Sequence, residues 1–420
     1  MRILFLSDNF PPETNAPATR LFEHAREWVR AGHTVTVITC APNFPEGRVH
    51  AGHSNRWYKR ETVEGIDVVR VKTFIARNEG FALRTLDYLS FMVSGFFGGL
   101  VQARHDVIVA TSPQFFAAVG GWALSFARRT PFVFELRDLW PESIRAVGAV
   151  KDSFLLRALE RLELFLYARA AAIVSVTDSF RDNLIARGVE GSKITVVRNG
   201  VDLSCYAPRA RDPKLAAELG VEGKFVVGYI GTHGLAHALE KVLDAAHLLR
   251  SRTDIHFLFV GAGAARDSLI ARAEAQGLSN VSFAPAQPKS AMPAVWSLCN
   301  AALIHLKDEP LFATVIPSKI FEAMGMGVPL LFAGPRGEAS GIIDEHAAGV
   351  CVAAEDPKAL VAAVVQLADD AKLCSGLAER SRAAAVHFDR SRNASRMLDV
   401  LLALDRDSEV SRIEAKTPAA

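Results

Sequence analysis

Short apolar runs alternate with longer stretches of helical periodicity along most of the chain. Before residue 200 the runs predict seven strands, and the stretches between them predict helices such as Ala18–Ala31 and Phe115–Arg129. Several runs are apolar at consecutive positions, which is typical of parallel strands covered on both faces. The predicted strands are Ile3–Leu6, Thr34–Thr39, Val68–Lys72, Val107–Ala110, Phe132–Leu136, Ile173–Val176 and Ile194–Val197.

The alternation starts again after a Gly- and Pro-containing segment at Asn199–Pro213. Helices such as Leu239–Arg250 and Asp267–Gln276 are predicted between the strands of this second series. Two consecutive series predict an α/β protein with two doubly wound domains. The predicted strands are Phe225–Ile230, Ile255–Val260, Val281–Phe283, Ala302–His305, Leu330–Ala333 and Gly349–Val352.

The domain boundaries follow from this pattern. We assign residues 1–200 to an N-terminal Rossmann-like domain and residues 201–385 to a C-terminal one. Residues 386–404, with a helix at Ser391–Leu404, are expected to pack back toward the N-terminal domain. The polar residues 405–420 are predicted to be a disordered tail.

Composition narrows the class of protein. Half of the 420 residues are hydrophobic, which is enough for two cores, and a net charge of +2 makes a nucleic acid an unexpected partner. The five cysteines are scattered without metal-ligand spacing, so we expect reduced thiols in a cytoplasmic protein. The first apolar run is short for a signal peptide, and no apolar run reaches the length of a membrane span.

The segment Ile316–Leu330 carries the most informative chemistry. Pro317 suits the first position of a short helix, and the free N–H groups near Ser318 would form an anion site. Lys319 and Glu322 are three residues apart, so a cation and a carboxylate share one helix face beside that site. The phosphate and the diol of a sugar nucleotide would use both groups. The alternative is a surface helix with a Lys–Glu pair.

Two glycine turns follow strands of the second series. Gly231 lets backbone approach a phosphate closely, and the next residues, Thr232 and His233, can donate hydrogen bonds. A tight turn that merely needs small residues is the alternative. Gly261 follows the next strand in the same way, but Arg266 stands where a dinucleotide fingerprint has its third glycine, which disfavours a nicotinamide or flavin cofactor.

The first strand leads into Asn9–Asn15, which contains neither a G-x-G-x-x-G nor a Walker pattern. This segment therefore argues against a dehydrogenase and a P-loop ATPase. Arg20, one turn into the following helix, could point into a cleft between the domains or be a solvated side chain.

Ionisable side chains cluster after the strand that ends at Leu136, in the segment Glu135–Ser143. We predict that Asp138 is a carboxylate near the reacting carbon, and an Asp that only caps the next helix is the competing interpretation. The only D-x-D triplet, Asp405–Asp407, lies in the tail, so no metal cofactor is expected.

The apolar run within residues 83–104 allows two interpretations. Basic residues such as Arg84 and Arg104 flank it, as in a helix that dips into an anionic membrane surface. A helix buried against the sheet would have the same apolar run.

The ordered motifs resemble those of the GT-B retaining glycosyltransferases of family 4 along essentially the whole chain, and especially the bacterial O-antigen and capsule enzymes of the N-acetyl-L-fucosaminyltransferase type. The segments that carry this resemblance are Asn9–Arg20, Arg137–Ser143, Asn199–Asp202, Gly231–Leu235 and Ile316–Glu322.

The resemblance implies two Rossmann-like domains facing across a cleft, with the acceptor held mainly by the first and the sugar nucleotide by the second. Glu322 matches the glutamate that accepts hydrogen bonds from the ribose. Lys319, Ser318 and the turn at Gly231–His233 would bind the diphosphate, and Gly261 would border the base. Asp138 matches a position beside the transferred sugar. The remaining residues expected to contact substrate are Asn15, Arg20, Arg137 and Asn199.

Two departures separate the chain from the broad family. Thr314 replaces the first Glu of the E-x7-E pair, and His233 stands in the region where an Arg and a Lys usually follow the glycine turn. Diphosphate charge would then be balanced by Lys319, helix N-termini or a cation from the first domain.

We therefore expect a retaining transferase that moves a sugar from a UDP-sugar to a lipid-linked (polyprenyl diphosphate) saccharide, without a metal, at the cytoplasmic membrane surface. A nucleotide-sugar epimerase and a non-catalytic membrane-associated scaffold with the same fold are the alternatives. An epimerase would convert a nucleotide sugar without any acceptor, and a scaffold would bind nucleotide without turnover.

Overall fold

A computed structural model describes residues 1–44, 47–75, 81–112, 114–140 and 154–414, and these residues divide into two compact units. Unit 1 comprises Met1–Arg198 together with the segment that starts at Ser391, and unit 2 comprises Asn199–Arg390. Each unit is a Rossmann-like α/β domain built on a parallel sheet.

Unit 1 contains an eight-stranded sheet of order β3-β4-β2-β1-β5-β6-β7-β8, in which only the pair β3–β4 is antiparallel among the described neighbours. The chain builds the sheet outward from β1 in both directions, so the order reverses between β1 and β5. The strands are β1 (Arg2–Leu6), β2 (Thr34–Cys40), β3 (Tyr58–Val63), β4 (Ile66–Val71), β5 (Val107–Thr111), β6 (Phe132–Leu136), β7 (Ala172–Ser175) and β8 (Ile194–Val196).

Helices connect these strands, as the right-handed crossovers of parallel sheets require. Asn15 begins the first of them: its side-chain Oδ1 accepts a hydrogen bond from the Ala18 N–H at 3.1 Å, as an N-cap residue does. The helices of this part are α1 (Ala16–Arg30), α2 (Phe81–Leu100), α3 (Phe115–Arg128), α4 (Phe154–Arg169) and α5 (Asp178–Ala186).

Unit 2 contains a six-stranded, fully parallel sheet of order β11-β10-β9-β12-β13-β14. Apolar side chains fill the cores on both of its faces; Val226 belongs to one core and its neighbour Val227 to the other. The strands are β9 (Phe225–Ile230), β10 (Ile255–Val260), β11 (Val281–Ala284), β12 (Ala301–His305), β13 (Leu330–Ala333) and β14 (Gly349–Val352).

The helices of unit 2 lie between and after these strands. They are α6 (Pro213–Glu218), α7 (Leu239–Leu248), α8 (Arg266–Ala275), α9 (Met292–Trp296), α10 (Lys319–Met326), α11 (Glu338–Glu345), α12 (Pro357–Asp369) and α13 (Ala371–Ala385).

The last described helix, α14 (Arg390–Glu414), packs on unit 1. Trp28 Nε1 of α1 donates a hydrogen bond to the Ala394 carbonyl at 2.8 Å, and Met397 and Leu401 join the core of this unit. The helix continues to Glu414, ten residues beyond the end that the sequence pattern suggests, and residues 415–420 lie outside the described part.

All thirteen predicted strands are present, with ends displaced by at most two residues. The sequence analysis missed β3, because its side chains alternate between exposed and half-buried positions and most are polar. An antiparallel edge strand needs no continuous apolar run, since only one of its faces and one of its edges is covered.

The interpretation of the 83–104 run as a buried helix is confirmed for one face of α2, and contact with a membrane stays a prediction. Helix α2 packs tightly on α3: a Cβ added at Gly99 would overlap Leu124, and one at Gly120 would lie 3.0 Å from the Met92 carbonyl oxygen. The other face of α2 is exposed at Val93 and Phe97. No helix within the described residues is long and apolar enough to cross a membrane.

Candidate functional site

Two glycine turns lie side by side at the carboxyl ends of β9 and β10. Gly231 has a φ of +140° and Gly261 a φ of +153°, conformations that side-chain-bearing residues rarely adopt. A Cβ at Gly261 would overlap the Gly231 carbonyl oxygen, and one at Gly231 would lie 3.0 Å from Lys319 Nζ. Glycine is therefore needed at both turns for the backbones and the lysine to approach so closely.

Lys319 is the first residue of α10, and its ammonium nitrogen is buried. Nζ lies 3.6 Å from the centroid of the Tyr229 ring and has no hydrogen-bond partner among the described residues. Burial lowers the pKa of Lys319 to about 7, although the nearby Glu322 carboxylate acts in the opposite direction. A buried cation without a partner is unfavourable until an anion joins it.

The amino end of α10 is arranged differently from the prediction. The helix begins at Lys319, so the prediction that Pro317 is its first residue is wrong by two positions. The Pro317 carbonyl instead accepts a hydrogen bond from the Ile320 N–H at 3.1 Å. Ser318 is the N-cap with helical φ and ψ, and its side chain makes no capping bond. The first-turn N–H groups of a helix have no partner within that helix and favour anions.

Glu322 lies one turn after Lys319, so the two side chains share a helix face as expected. One carboxylate oxygen, Oε2, accepts a hydrogen bond from Trp296 Nε1 at 3.2 Å. Trp296 is fully buried, so it fixes the direction of the carboxylate. The sequence analysis missed Trp296, because an isolated Trp in a short apolar stretch looks like any core residue.

His233 is buried in the same turn, beneath Gly261 and Gly263. Both of its ring nitrogens lack a hydrogen-bond partner in the described part of the chain. Burial, together with the positive charges of Lys319 and Arg266, lowers the pKa of His233 to about 4, so the ring is neutral near pH 7. A neutral imidazole offers one N–H donor and one acceptor.

The neighbour Thr232 is exposed, and its carbonyl oxygen accepts a hydrogen bond from the Tyr229 hydroxyl at 2.8 Å. This bond ties the strand end to the turn. Tyr229 was also missed in the sequence analysis, and its position two residues before the glycine turn is the signal that could have identified it.

Thr314 stands at the position of the first Glu of the E-x7-E pair. Its hydroxyl donates a hydrogen bond to the Leu311 carbonyl at 2.7 Å.

In unit 1, Arg20 is buried and makes several internal polar contacts. Its guanidinium forms an ion pair with Glu135 at 2.8 Å, and each side chain is no more than 2% exposed. It also donates to the Val197 and Arg198 carbonyls, both at 2.9 Å. These bonds join α1, β6 and the segment after β8, so Arg20 is not the solvated side chain of the alternative interpretation, and its contact with substrate stays a prediction.

Arg137 and Asp138 follow β6 and are both half-buried. Their N–H groups donate to Ser112 Oγ at 2.8 and 3.2 Å, which fixes the backbone at this strand end. Residues 141–153 lie outside the described residues, so the structure does not distinguish a cap from a substrate contact for Asp138. Asn15 caps α1, and Asn199, the first residue of unit 2, is half-buried.

Comparison with known proteins assigns the two parts of the chain. Residues 15–200 match the family described as glycosyl transferase 4-like domain, and residues 211–384 match the family described as glycosyl transferases group 1.

A protein of Escherichia coli K12, provisionally assigned as the colanic acid biosynthesis glycosyl transferase WcaI, is 29% identical over 87% of this chain and 92% of its own length. A GDP-mannose-dependent alpha-mannosyltransferase of Mycolicibacterium smegmatis is 26% identical over 80% of this chain and 81% of its own.

The solved structures share the fold. Anabaena Alr3699/HepE in complex with UDP and glucose superposes with a TM-score of 0.71 at 19% identity, covering 96% of this chain and all of its own. Sucrose-phosphate synthase of Thermosynechococcus elongatus gives 0.73 at 16% identity, covering 96% and 98%. The chain therefore belongs to the glycosyltransferases of the GT-B fold, with a glycosyl transferase 4-like first part and a group 1 second part.

Proposed function

We propose that the chain transfers a sugar from a UDP-sugar to a lipid-linked saccharide, with retention at the anomeric carbon, in the synthesis of a bacterial surface polysaccharide such as O-antigen or capsule. The observation that carries this proposal is the buried ammonium of Lys319, which has no hydrogen-bond partner in the part of the chain that the structure describes and lies beside the turn at Gly231 and the amino end of α10. A diphosphate is the anion that would use all three features together.

The ribose and the base would extend from this diphosphate. Glu322 would accept hydrogen bonds from ribose hydroxyls while Trp296 holds its direction, because a carboxylate can accept several hydrogen bonds. The turn at Gly261 and the loop after β11 would border the base. His233, neutral and within the same turn as Gly231, would donate one hydrogen bond to the donor substrate.

The identity of the donor rests on the relatives. HepE has been solved with UDP and with UDP-glucose, whereas two mycobacterial relatives are named as GDP-mannose-dependent. We favour UDP, and an N-acetylated amino sugar such as N-acetyl-L-fucosamine, because the ordered motifs resemble those of transferases for that sugar. The name of the Escherichia coli relative supports a role in polysaccharide synthesis.

Catalysis would depend on stabilising the negative charge of the leaving diphosphate. As the bond from the sugar to the diphosphate breaks, negative charge grows on the leaving group, and Lys319 with the N–H groups of α10 would stabilise it. We propose that no metal is needed, since these groups supply the positive field. The acceptor hydroxyl would attack from the face that the leaving group departs, and that phosphate would take its proton. Asp138 would lie beside the transferred sugar.

The acceptor would reach the enzyme at the inner face of the cell membrane. Five exposed apolar side chains form one stripe along α2 and the residue after it, at helical spacing. They are Leu83, Leu86, Val93, Phe97 and Val101.

Aromatic and basic groups continue this α2 stripe. Trp57, which is 78% exposed, carries the Lys72 ammonium 4.6 Å above its ring. The adjacent Tyr58 contacts Gln102, just past the end of α2. Apolar side chains with basic neighbours are what an anionic lipid surface attracts.

The proposal is tested by ligand binding and by product analysis. UDP and UDP-N-acetyl sugars should raise the melting temperature more than GDP or ADP does. With a polyprenyl diphosphate oligosaccharide, transfer should proceed in EDTA, and NMR should show the donor's anomeric configuration in the product. Conversion of a UDP-sugar without acceptor would indicate an epimerase, and binding without turnover a scaffold. Failure of every nucleotide to bind would refute the proposal.

A further inference from the structure

A second cluster of buried polar side chains lies in unit 1, at the carboxyl ends of β1 and β5. The strand order of the sheet reverses between these two strands, and open α/β sheets bind ligands at such a switch point. Asp8 follows β1 and Gln114 follows β5, and both are more than nine-tenths buried. Neither residue belongs to the donor site proposed for unit 2.

Glu13 fixes the framework of this cluster. Its Oε2 accepts hydrogen bonds from Asn9 Nδ2 at 3.2 Å and from the Phe10 N–H at 3.3 Å. Its Oε1 accepts from the N–H groups of Asn43 and Phe44 at 2.8 and 2.9 Å. Four donors occupy both oxygens of this carboxylate, so Glu13 is a positioning residue that holds the loop after β1 in place.

Three other acceptor oxygens of the cluster have no hydrogen-bond partner within the described residues. They are Oδ1 of Asp8, Oδ1 of Asp87 on α2, and Oε1 of Gln114. The amide of Gln114 is oriented, because its Nε2 donates to Asn9 Oδ1 at 3.1 Å. Buried polar atoms are nearly always satisfied, so three unsatisfied acceptors in one cluster indicate a ligand that brings hydrogens.

The charge of Asp87 acts on the Asp8 carboxyl. Burial raises the pKa of Asp8 to about 8, and the charge of Asp87 is the next cause. Burial likewise raises the pKa of Asp87 to about 6. A second anion placed here would meet the charge of Asp87 and oppose the ionisation of Asp8, so a phosphate or a uronate is a poor ligand for the cluster.

We propose that Asp8, Asp87 and Gln114 bind the hydroxyl groups of a neutral sugar, the terminal residue of the acceptor saccharide. This inference rests on the proposed transferase function and deepens it, since it makes Asp8 a specificity-determining residue and excludes acceptors that end in a uronic acid or a phosphorylated sugar. Sugar hydroxyls supply the hydrogens that the three oxygens lack.

The test uses the full chain and a set of methyl glycosides as probes. Titration by saturation-transfer NMR compares the methyl α-glycosides of glucose, galactose and N-acetylglucosamine with methyl glucuronide. We expect at least one neutral glycoside to bind saturably and the glucuronide not to bind. At pH 9, where Asp8 is ionised, Asp8→Asn should weaken that binding about tenfold or more, because an amide replaces a carboxylate that accepts through both oxygens.

Two further variants make the test specific. Asp87→Asn should also weaken the glycoside, whereas Asp67→Asn, a carboxyl of β4 paired with Arg60, should leave its affinity unchanged. All three variants should keep the wild-type affinity for UDP. The melting temperature of Asp8→Asn should not fall, since Oδ1 has no hydrogen-bond partner within the described residues and an amide oxygen can still accept from the Cys40 thiol.

The inference is overturned if no neutral glycoside binds, if glucuronide binds as well, or if both Asp8→Asn and Asp87→Asn bind the glycosides like the wild type. The cluster would instead be a cation site if Ca²⁺ or Mn²⁺ competed with the glycoside and if Asp8→Asn abolished that competition. This result would also overturn the inference. Because UDP binding is measured separately, a failed donor site and a failed acceptor site give different results.

Discussion

The ammonium nitrogen of Lys319 lies 3.6 Å from the centroid of the Tyr229 ring. The ring is held in place because the Tyr229 hydroxyl donates to the Thr232 carbonyl at 2.8 Å. A cation–π contact of this kind contributes about 1–2 kcal/mol when it is desolvated, less than the several kcal/mol that burial of a charge costs. Tyr229 therefore positions the lysine without neutralising it, and the charge stays available for a phosphate.

Lys319→Met should separate stability from catalysis. The substitution keeps an unbranched apolar stem and removes the charge, so we expect the melting temperature without ligand to be unchanged or higher. Turnover should fall roughly 10²-fold, as expected when one strong charge contact worth about 3 kcal/mol to the transition state is lost. The stabilisation by UDP should largely disappear.

The matched control is Lys358→Met on the exposed side of α12, which should behave like the wild type in both assays. Steady-state kinetics and thermal denaturation with and without UDP measure these effects. A Lys319→Met variant that turns over at the wild-type rate would remove this residue from the site.

UDP binding should depend on pH through Lys319. Its pKa is about 7 in the free protein, and a bound diphosphate would raise it again by favouring the charged form. Above pH 7 the neutral amine must take up a proton on binding, so the affinity should fall by up to about tenfold per pH unit. Calorimetry in buffers of different ionisation enthalpy measures that uptake, and Lys319→Met should abolish it.

Lys319 should also make the stability of the ligand-free protein depend on pH. Its folded-state pKa of about 7 lies below the ordinary value of 10.5, so between these pH values the unfolded chain holds the additional proton. The contribution of Lys319 to the free energy of unfolding should therefore rise with pH across this window. Denaturant titrations of wild type and Lys319→Met measure this contribution at each pH. If the two free energies of unfolding converge as the pH falls below 7, the assignment is incorrect.

Glu322→Gln should weaken the binding of the ribose. The substitution keeps the shape of the side chain and an oxygen for Trp296 Nε1, but it weakens acceptance from ribose hydroxyls. We expect UDP to bind about tenfold more weakly, because hydrogen bonds to charged groups contribute about 1.5–3 kcal/mol. Wild type should prefer UDP to 2′-deoxy-UDP, and the variant should lose most of that preference. An unchanged ratio in calorimetric titrations would place the ribose elsewhere.

The α2 stripe should bind lipid. Val93→Asp with Phe97→Asp places two charges on exposed positions of the stripe, so cosedimentation with phosphatidylglycerol vesicles should fall sharply. The control is Leu248→Asp, at a position of similar exposure on α7 in unit 2, which should sediment like the wild type. Both proteins should keep their affinity for UDP. Equal sedimentation of all three proteins would exclude the stripe as the membrane contact.

Much of the fold could be predicted because parallel strands are buried on both faces. A run such as Val107–Thr111 must then be apolar at every position, and the pattern is visible without knowledge of its neighbours. The strand β3 was not predicted, because the side chains of an edge strand are only partly buried and need not all be apolar. The shared helix face of Lys319 and Glu322 was also predictable from local sequence, since side chains three residues apart lie on the same face of a helix.

The role of Arg20 could not be predicted, because its partner Glu135 lies 115 residues away and only the fold brings the two together. The same holds for the acceptor cluster, in which Gln114 meets Asn9 across 105 residues. Sequence analysis identified Arg20 by its charge, and charge is as consistent with a buried ion pair as with a substrate contact.

The sequence alone determined the two α/β series, their parallel strands and the short helix that carries Lys319 and Glu322, because these depend on local periodicity and on spacing within one helix. Only the tertiary structure decided which polar groups are satisfied: Arg20 and Glu13 make several hydrogen bonds, whereas Lys319 and Asp8 keep buried atoms that have no hydrogen-bond partner among residues 1–44, 47–75, 81–112, 114–140 and 154–414. Burial and pairing depend on contacts between distant segments, so no local pattern encodes them.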